Sequence, residues 1–546
     1  MHINHKLLFT AFAVFACTTL AFAQKDKVTG TVDVYKDFDA HLLESNKINV
    51  MPSLPPLDTN IKKQDYIVPL HPLPLTYPTP KLRPIAMKAG KKEETYNGYV
   101  KAGMGTPKQF WGEAGYYFRS EDKFDGKAWF RHHSLNNTEN VENQRFFNND
   151  FLLNGNIYPN ENIGIEANIG YSYDRVHFYG YNIDTLSFSD ERTRQDVKIL
   201  DLGGRVYNSE RNDADFSFYV APKFYLLNDY YSNKENGFEF NLGGTKWFDK
   251  HSLHLNIRAD QTTFEDTAKQ KLNNLYLQPS FTFHADILQI KVGGNFASNR
   301  DEFTIFPDAE LTLRLIGNGV QIFGGAAGDL RKNTYRSMIT YCPFINVRGE
   351  NGAQLLNTEY RNYYAGAKGD LGFLEYTGMF TYATANDLAL YQTFFMPAGL
   401  TTFQVVYDNA TITNVQGIAR LKLFKDLLAF SATVSQNLTF ELDNQRKPWG
   451  LPKTEMNFYG TLALMENKLE LRGGVYVAEG IWFQDIEGVA RQGDALYDLS
   501  VGGNFRFTDN IGAFLDVNNL AHNKRERWYN YPTVGLNFIV GLTARF

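Results

Sequence analysis

From Thr533 to Phe546 the chain alternates with period two and leaves little freedom in how it can fold. Val534, Leu536, Phe538, Val540, Leu542, Ala544 and Phe546 share one phase. Thr533, Gly535, Asn537, Gly541, Thr543 and Arg545 share the other, with Ile539 the only large apolar residue among them. Successive side chains of a strand point to opposite faces, so this segment needs apolar surroundings on one side and polar ones on the other. A wall facing hydrocarbon satisfies that need, and so does the edge of a soluble sandwich.

The same alternation recurs from Tyr96 onward. Tyr497, Leu499, Val501, Gly503, Phe505 and Phe507 oppose Asp498, Ser500, Gly502, Asn504 and Arg506. Val415, Gly417, Ala419, Leu421 and Leu423 oppose Gln416, Arg420 and Lys422. Ten tight turns punctuate the strands, at 120–122, 159–162, 210–213, 249–250, 285–286, 317–319, 369–370, 425–426, 466–468 and 508–510, each rich in Asn, Asp or Gly. These residues tolerate the positive φ angles of short hairpins. Ten hairpins, a first strand over Tyr96–Gly105 and the last strand predict about 22 strands, an even number. A propeller also repeats about every forty residues, but packs four strands into each blade and lacks one continuous apolar face. The polar phase carries both signs of charge: Arg420, Lys422, Glu470, Arg472, Asp498, Arg506, Asp516 and Arg545. Each would cost several kcal/mol in hydrocarbon, so these residues are predicted to line a wet or protein-filled lumen. The fold expected is all-β: a transmembrane antiparallel β-barrel of about 22 strands with a short proline-rich N-terminal arm.

The start of the chain agrees with export. His2, His5 and Lys6 precede an apolar run from Leu7 to Leu20, and Ala21-Phe22-Ala23 offers a cleavage site before Gln24. Residues 1–23 therefore read as a signal peptide, and Cys17 lies in a poor lipobox. Cleavage leaves Cys342 alone, which excludes an intramolecular disulfide and a cysteine-based metal site. Residues 24–95 form a periplasmic or lumenal arm, with a short strand over Val28–Tyr35, a short helix over Phe38–Asn46, and nine of the nineteen prolines between Pro52 and Pro84. Proline lacks the amide a ladder needs, so the arm reads as extended linker. Residues 96–546 are the barrel. No segment reaches the ~20 apolar residues of a spanning helix, a test that barrels evade because lumen-facing residues dilute each apolar face. Net charge is −5 with no basic stripe, which argues against nucleic acid as a partner.

The C-terminal Phe546 on an apolar phase resembles the insertion signal that bacterial outer-membrane barrels present to the barrel-assembly machinery. Asp516-Val517-Asn518-Asn519-Leu520, the loop residues Arg527-Trp528-Tyr529 and Tyr531-Pro532, then Gly535, Phe538, Gly541-Leu542 and Phe546, resemble the end of TonB-dependent receptors. Asn537 stands where many members carry Arg. The resemblance implies a bacterial outer-membrane location, contact with outer-membrane lipid, and solute uptake. Such receptors carry a plug of well over a hundred residues before the first strand, as the resemblance has it, and this arm is too short and too proline-rich to build one. Gly30-Thr31-Val32-Asp33-Val34-Tyr35 faintly resembles their energy-coupling box, and a single short strand explains it as well. Closure of so wide a lumen then falls to the arm, to inward-folded loops, or to a plugging or periplasmic partner protein.

Catalytic chemistry is not visible. His132-His133 point to opposite faces of a strand, as do His251 and His254, so neither pair chelates one metal. The glycine pairs, Gly293-Gly294 and Gly502-Gly503 among them, open no helix and read as relief of crowding in curved strands rather than as phosphate loops. No nucleophile, metal or cofactor constellation stands out, and a non-enzyme without cofactors is expected. Recognition is expected on four long loops: Asn333–Thr358, Ala385–Ala410, Asp443–Thr454 and Glu479–Ala495. Their aromatics Tyr391, Phe394, Phe395, Trp449, Trp482 and Phe483, with Trp528, are candidates for ligand contact, or for packing on one another inside a wide lumen. Two functions remain: solute uptake, or a non-transporting barrel that anchors or scaffolds a partner in an outer-membrane assembly.

Overall fold

Alternating strands with one apolar face and no free edge can only close on themselves in a membrane, because every backbone amide and carbonyl there needs a protein partner. The computed structural model shows that closure, and it describes residues 96–546 except 121–122, 209–213, 301, 347–353 and 425–426. The expectations placed on residues 1–95 (signal peptide, poor lipobox, short strand and helix, proline-rich arm, coupling-box resemblance) lie outside the described residues. Twenty-two antiparallel strands form one sheet, each beside its neighbour in sequence. The first, Gly98–Thr106, pairs with the last, Asn537–Arg545, from Tyr99 opposite Arg545 to Thr106 opposite Phe538. That seam leaves no edge exposed.

The outer surface carries the apolar phase. Phe538, Val540, Leu542 and Phe546 are exposed, as are Tyr497, Leu499, Val501 and Phe505, while Asn537 and Ile539 on the opposite phase are buried. Short turns gather at one end and long loops at the other. Barrels of this kind place their short turns on the periplasmic side, so the loops are extracellular. Of the ten turn segments read from sequence, 249–250, 285–286, 317–319, 466–468 and 508–510 fall between consecutive strands. Ser120, Pro159 with Asn160, and Gly369 with Asp370 instead end strands, the last turn being 371–373, and 121–122, 210–213 and 425–426 lie outside the described residues.

Three boundaries differ from the sequence reading, the first strand running Gly98–Thr106 rather than Tyr96–Gly105. The last strand begins at Asn537 rather than Thr533, because polar groups of the preceding loop take its backbone. The Leu536 amide donates to His522 Nδ1 (3.0 Å), the Thr533 amide to the Arg525 carbonyl (3.0 Å), and the Val534 carbonyl accepts from Asn519 (2.8 Å). Ala385–Ala410 is not a loop. Strands Leu374–Phe395 and Thr401–Leu423 run on past the barrel rim as one hairpin, through an irregularity between Ala385 and Leu388 where Asp387 takes a positive φ. Only 396–400 turns. The extension is favoured because Leu388, Leu390 and Ala410 bury themselves against Trp449.

Candidate functional site

The extracellular loops do not stand in solvent. They fold over the mouth of the barrel and share one core: Phe178, Tyr181 and Phe188 from 178–193; Tyr335, Met338, Ile339, Cys342, Phe344 and Ile345 from the loop after Asn333; Leu400 and Phe403 from the long hairpin; Trp528 and Tyr531 from 519–536. Tyr531 lies at the centre. Its ring stacks on Phe344 at 3.9 Å between centroids and meets Tyr179 edge-on at 4.8 Å, and its hydroxyl donates to the Thr401 carbonyl (2.6 Å).

Backbone bonds stitch the loops together. The Thr401 amide donates to Gly180, Phe403 to Phe344, Asn346 to Phe403, Tyr391 to Trp449, and Gly450 to Trp482. Arg527 joins two loops at once, donating to the Gly450 carbonyl (3.1 Å) and the Tyr341 hydroxyl (2.9 Å) while its guanidinium lies over Trp528. Gly450 has φ +72° and sits so close to Trp528 and Tyr391 that an added Cβ would lie 2.9 Å from each. A side chain there would meet both backbone strain and a clash.

The cap is anchored to the wall by a seven-residue helix, Tyr335–Tyr341. Thr334 caps it, accepting from the Ser337 amide while Ser337 returns a bond to the Thr334 amide. This reciprocal arrangement satisfies amides that a helix start leaves open. Glu235, fully buried on strand Lys234–Phe248, supplies the rest: it accepts from the amides of Tyr335 (2.6 Å) and Arg336 (3.0 Å) and from the Tyr225 hydroxyl (2.8 Å). A carboxylate at a helix N-terminus also meets the positive end of the dipole. Arg336 grips Asp201 with two bonds of 2.6 and 2.9 Å, and the Tyr335 hydroxyl donates to Asp229 (2.8 Å). Burial pushes the Tyr335 hydroxyl and the Cys342 thiol well above their ordinary ranges, so both stay protonated at neutral pH.

Directly beneath this helix lies a chamber of about 630 Å³. Asp201, Lys223, Glu239, Asp260, Lys332 and Arg336 line it with both signs of charge, alongside Tyr225 and Tyr341. Lys332 bonds to Asp260 (2.5 Å), and Lys223 stands 3.5 Å from Glu239. Among the described residues no group of three or more His, Cys, Asp or Glu could hold a metal ion.

The predicted lumen residues are spread around the wall and do not converge on one site. Arg472 and Asp516 meet at 2.6 Å, with Lys101 3.7 Å from Asp516. Gly502 makes room for that pair, since a Cβ there would fall 2.2 Å from Asp516 Oδ1. Arg420 lies 3.7 Å from Glu375 near the turns, Lys422 is exposed beside it, and Arg506 donates to the Asn467 carbonyl. Asp498 accepts from the Asn519 amide (2.9 Å), Glu470 pairs across the sheet with Asn504, and Arg545 lines a cavity at the seam with Tyr99, Lys101 and Glu113.

Of the loop aromatics, Tyr391, Trp449, Phe483 and Trp528 are buried in the cap, and Phe394, Phe395 and Trp482 are half-buried. They pack on one another rather than forming an exposed apolar patch. In the 480–495 loop, Asp485 is buried and accepts from the amides of Glu487 (3.0 Å) and Val489 (2.8 Å) and from Arg491 (2.5 Å). Burial by itself would raise this carboxyl, but the donors outweigh it and hold it below the usual carboxylate range. The residues that fasten the cap (Glu235, Asp201, Tyr335, Arg336 and Tyr531) carry no local motif. The one sequence signal for the helix is Thr334 three residues before Ser337.

No protein-family model matches the sequence. No curated protein sequence matches it either. Solved structures do. The iron transporter FrpB of Neisseria meningitidis aligns with a TM-score of 0.63 at 10% identity, covering 83% of this chain and 82% of that one. The siderophore receptor PirA of Acinetobacter baumannii aligns at 0.61 and 10% identity, covering 84% and 81%. The alcaligin receptor FauA of Bordetella pertussis aligns at 0.55 and 14% identity, covering 83% and 76%. At such identities the likeness is one of fold: a closed 22-stranded antiparallel barrel like the barrels of these proteins.

Proposed function

We propose that this barrel takes a polar, charged solute across the outer membrane, and that the solute is admitted from outside when the loop cap lifts. The observation that carries the proposal is the charged chamber directly beneath a cap held only by non-covalent bonds. A barrel serving solely as an anchor needs no chamber lined by three acids and four bases. The lining suits a solute carrying both charge and hydrogen-bonding groups. A metal ion would have to arrive already chelated, since no described cluster offers it a full set of ligands. The siderophore receptors and iron transporter that share the fold support the same reading.

The density of the cap favours a second reading, in which the closed barrel anchors or scaffolds a periplasmic partner. Planar-bilayer conductance separates the two. The purified full chain should conduct little. Arg336→Ala combined with Glu235→Ala, which unfastens the helix, should open steady channels. A barrel that stays silent after this change, and also after deletion of residues 51–88, would exclude the lifting cap and leave the anchor.

A further inference from the structure

The apolar outer wall is interrupted at one place. Pro279, Gly294 and Pro307 lie side by side on strands Lys269–His284, Leu288–Asn299 and Glu302–Ile316. Alternation puts all three in the outward phase, with Leu277, Phe281, Val292, Phe296 and Ile305 exposed around them, whereas Ser280, Asn295 and Phe306 between them point inward and are buried. Proline has no amide to give the ladder and glycine no side chain to fill the surface. Pairing between the first two strands accordingly lapses after Leu277 opposite Phe296 and resumes at Ser280 opposite Gly293.

The result is a pit of about 600 Å³ in the outer face, rimmed by Leu253, Phe281, Val292, Phe296 and Ile305. A polar cavity of about 310 Å³ backs onto it from the lumen, lined by Lys291, Asn295 and Asp308 among others, and the two share Ser280 and Pro307. The wall is thinned between them. Pro279 stands five residues from the end of its strand at His284, and Gly294 six from the start of its own at Leu288. At ~3.3 Å per residue and a tilt of ~45°, the pit lies roughly 12–14 Å above the periplasmic turns, inside the inner leaflet.

We propose that this pit binds one acyl chain of a periplasmic-leaflet phospholipid. It is continuous with the apolar belt that already faces lipid, its lining is apolar apart from Ser280, and its depth matches the tail of a lipid whose headgroup sits at the periplasmic surface. A bulky or polar partner finds no matching group there. The inference rests on the barrel standing in a membrane with its turns toward the periplasm, and it is independent of the transport reading.

The test uses the full chain in bilayer nanodiscs containing phosphatidylethanolamine with a diazirine midway along one acyl chain. After irradiation, cross-linked peptides are mapped by mass spectrometry. Labelling should concentrate on 288–299 and 302–316 above the rest of the belt. Gly294→Leu, which fills the pit, should lower that labelling about tenfold, the effect of losing burial for roughly two methylenes. Gly417→Leu should leave it unchanged, since that outward glycine has nothing within 4 Å of an added Cβ. Heat-resistant migration on a gel reports folding of each variant. Gly294→Ala, whose Cβ would meet the Phe296 ring at 3.3 Å, gives a milder change should the leucine prevent assembly. Even labelling around the belt would overturn the proposal. So would labelling that persists in Gly294→Leu, or cross-links to a second copy of the chain in place of lipid.

Discussion

The two ends of the lumen treat polar groups differently. At the extracellular end, Glu235, Thr262, Asn357 and Thr358 are sealed under protein, and each finds a fixed partner. Near the turns, the side chains of Arg420 and Glu375 keep 69% and 54% of their exposure and stand 3.7 Å apart. A buried carboxylate must be fully bonded or it destabilises the structure, so the outer end has discrete geometry and cooperative strength. An exposed ion pair contributes about 0–1 kcal/mol and can be rearranged by whatever enters. The outer end is therefore built as a closure, and the inner end as a solvated lining that sets little structure.

The largest break in that contrast should come from Tyr531→Ala. The substitution removes a buried ring from the centre of the cap, together with its bond to Thr401. Large-to-small changes of this kind cost about 3–5 kcal/mol. Cys342, fully buried within this core, is a native reporter. Maleimide added outside intact cells should leave it unmodified in the wild type and label it at least a hundredfold faster in Tyr531→Ala, a factor of order RT ln 100, or about 2.7 kcal/mol, of easier opening. Arg420→Ala at the inner end should leave the labelling rate unchanged. Rapid labelling of the unmodified chain would show that the cap is not a seal.

The same contrast explains what could be read from the sequence. The wall was legible because a strand with lipid on one side and water on the other writes its phase into every second residue, as in 497–507 and 534–546. Turn positions followed from Asn, Asp and Gly. The cap was not legible. In Leu388–Tyr391 both faces are covered by protein, so the polar phase that marks a strand disappears, and the segment read as an apolar loop. Its fastenings also join residues far apart in sequence, Tyr531 to Thr401 and Tyr335 to Glu235, and no local spacing encodes them. For the aromatic loop residues, the sequence leaves binding and packing both open, because their neighbours in space decide between the two.

A smaller effect is expected from comparing one carboxylate at each end. Glu235→Ala strands the Tyr335 and Arg336 amides and the Tyr225 hydroxyl in a buried site. An unsatisfied buried donor costs about 1–3 kcal/mol, and relaxation of the short helix should hold the total near 3 kcal/mol. Hydrogen exchange at the Tyr335 and Arg336 amides should accelerate accordingly. Glu375→Ala, which breaks only an exposed pair, should stay within about 0.5 kcal/mol. Equal effects from the two substitutions would remove the distinction between a built end and a solvated end.

The smallest expected effect is a pH response confined to the outer end. Asp485 holds the 480–495 loop through the Glu487 and Val489 amides and Arg491, and its carboxyl is depressed in the folded protein. A depressed folded value means the unfolded loop binds the proton more tightly. The stabilisation is thus complete above the ordinary aspartate value of about 3.9 and is lost as pH falls through the lower folded value. Exchange at the Val489 amide, corrected for its intrinsic pH dependence, should rise below about pH 4, while amides of the wall strands stay protected. Asp485→Asn should show the faster exchange already at neutral pH and lose the acid response. An acid response that survives in Asp485→Asn would assign it to another group and leave this carboxylate a passive part of the loop.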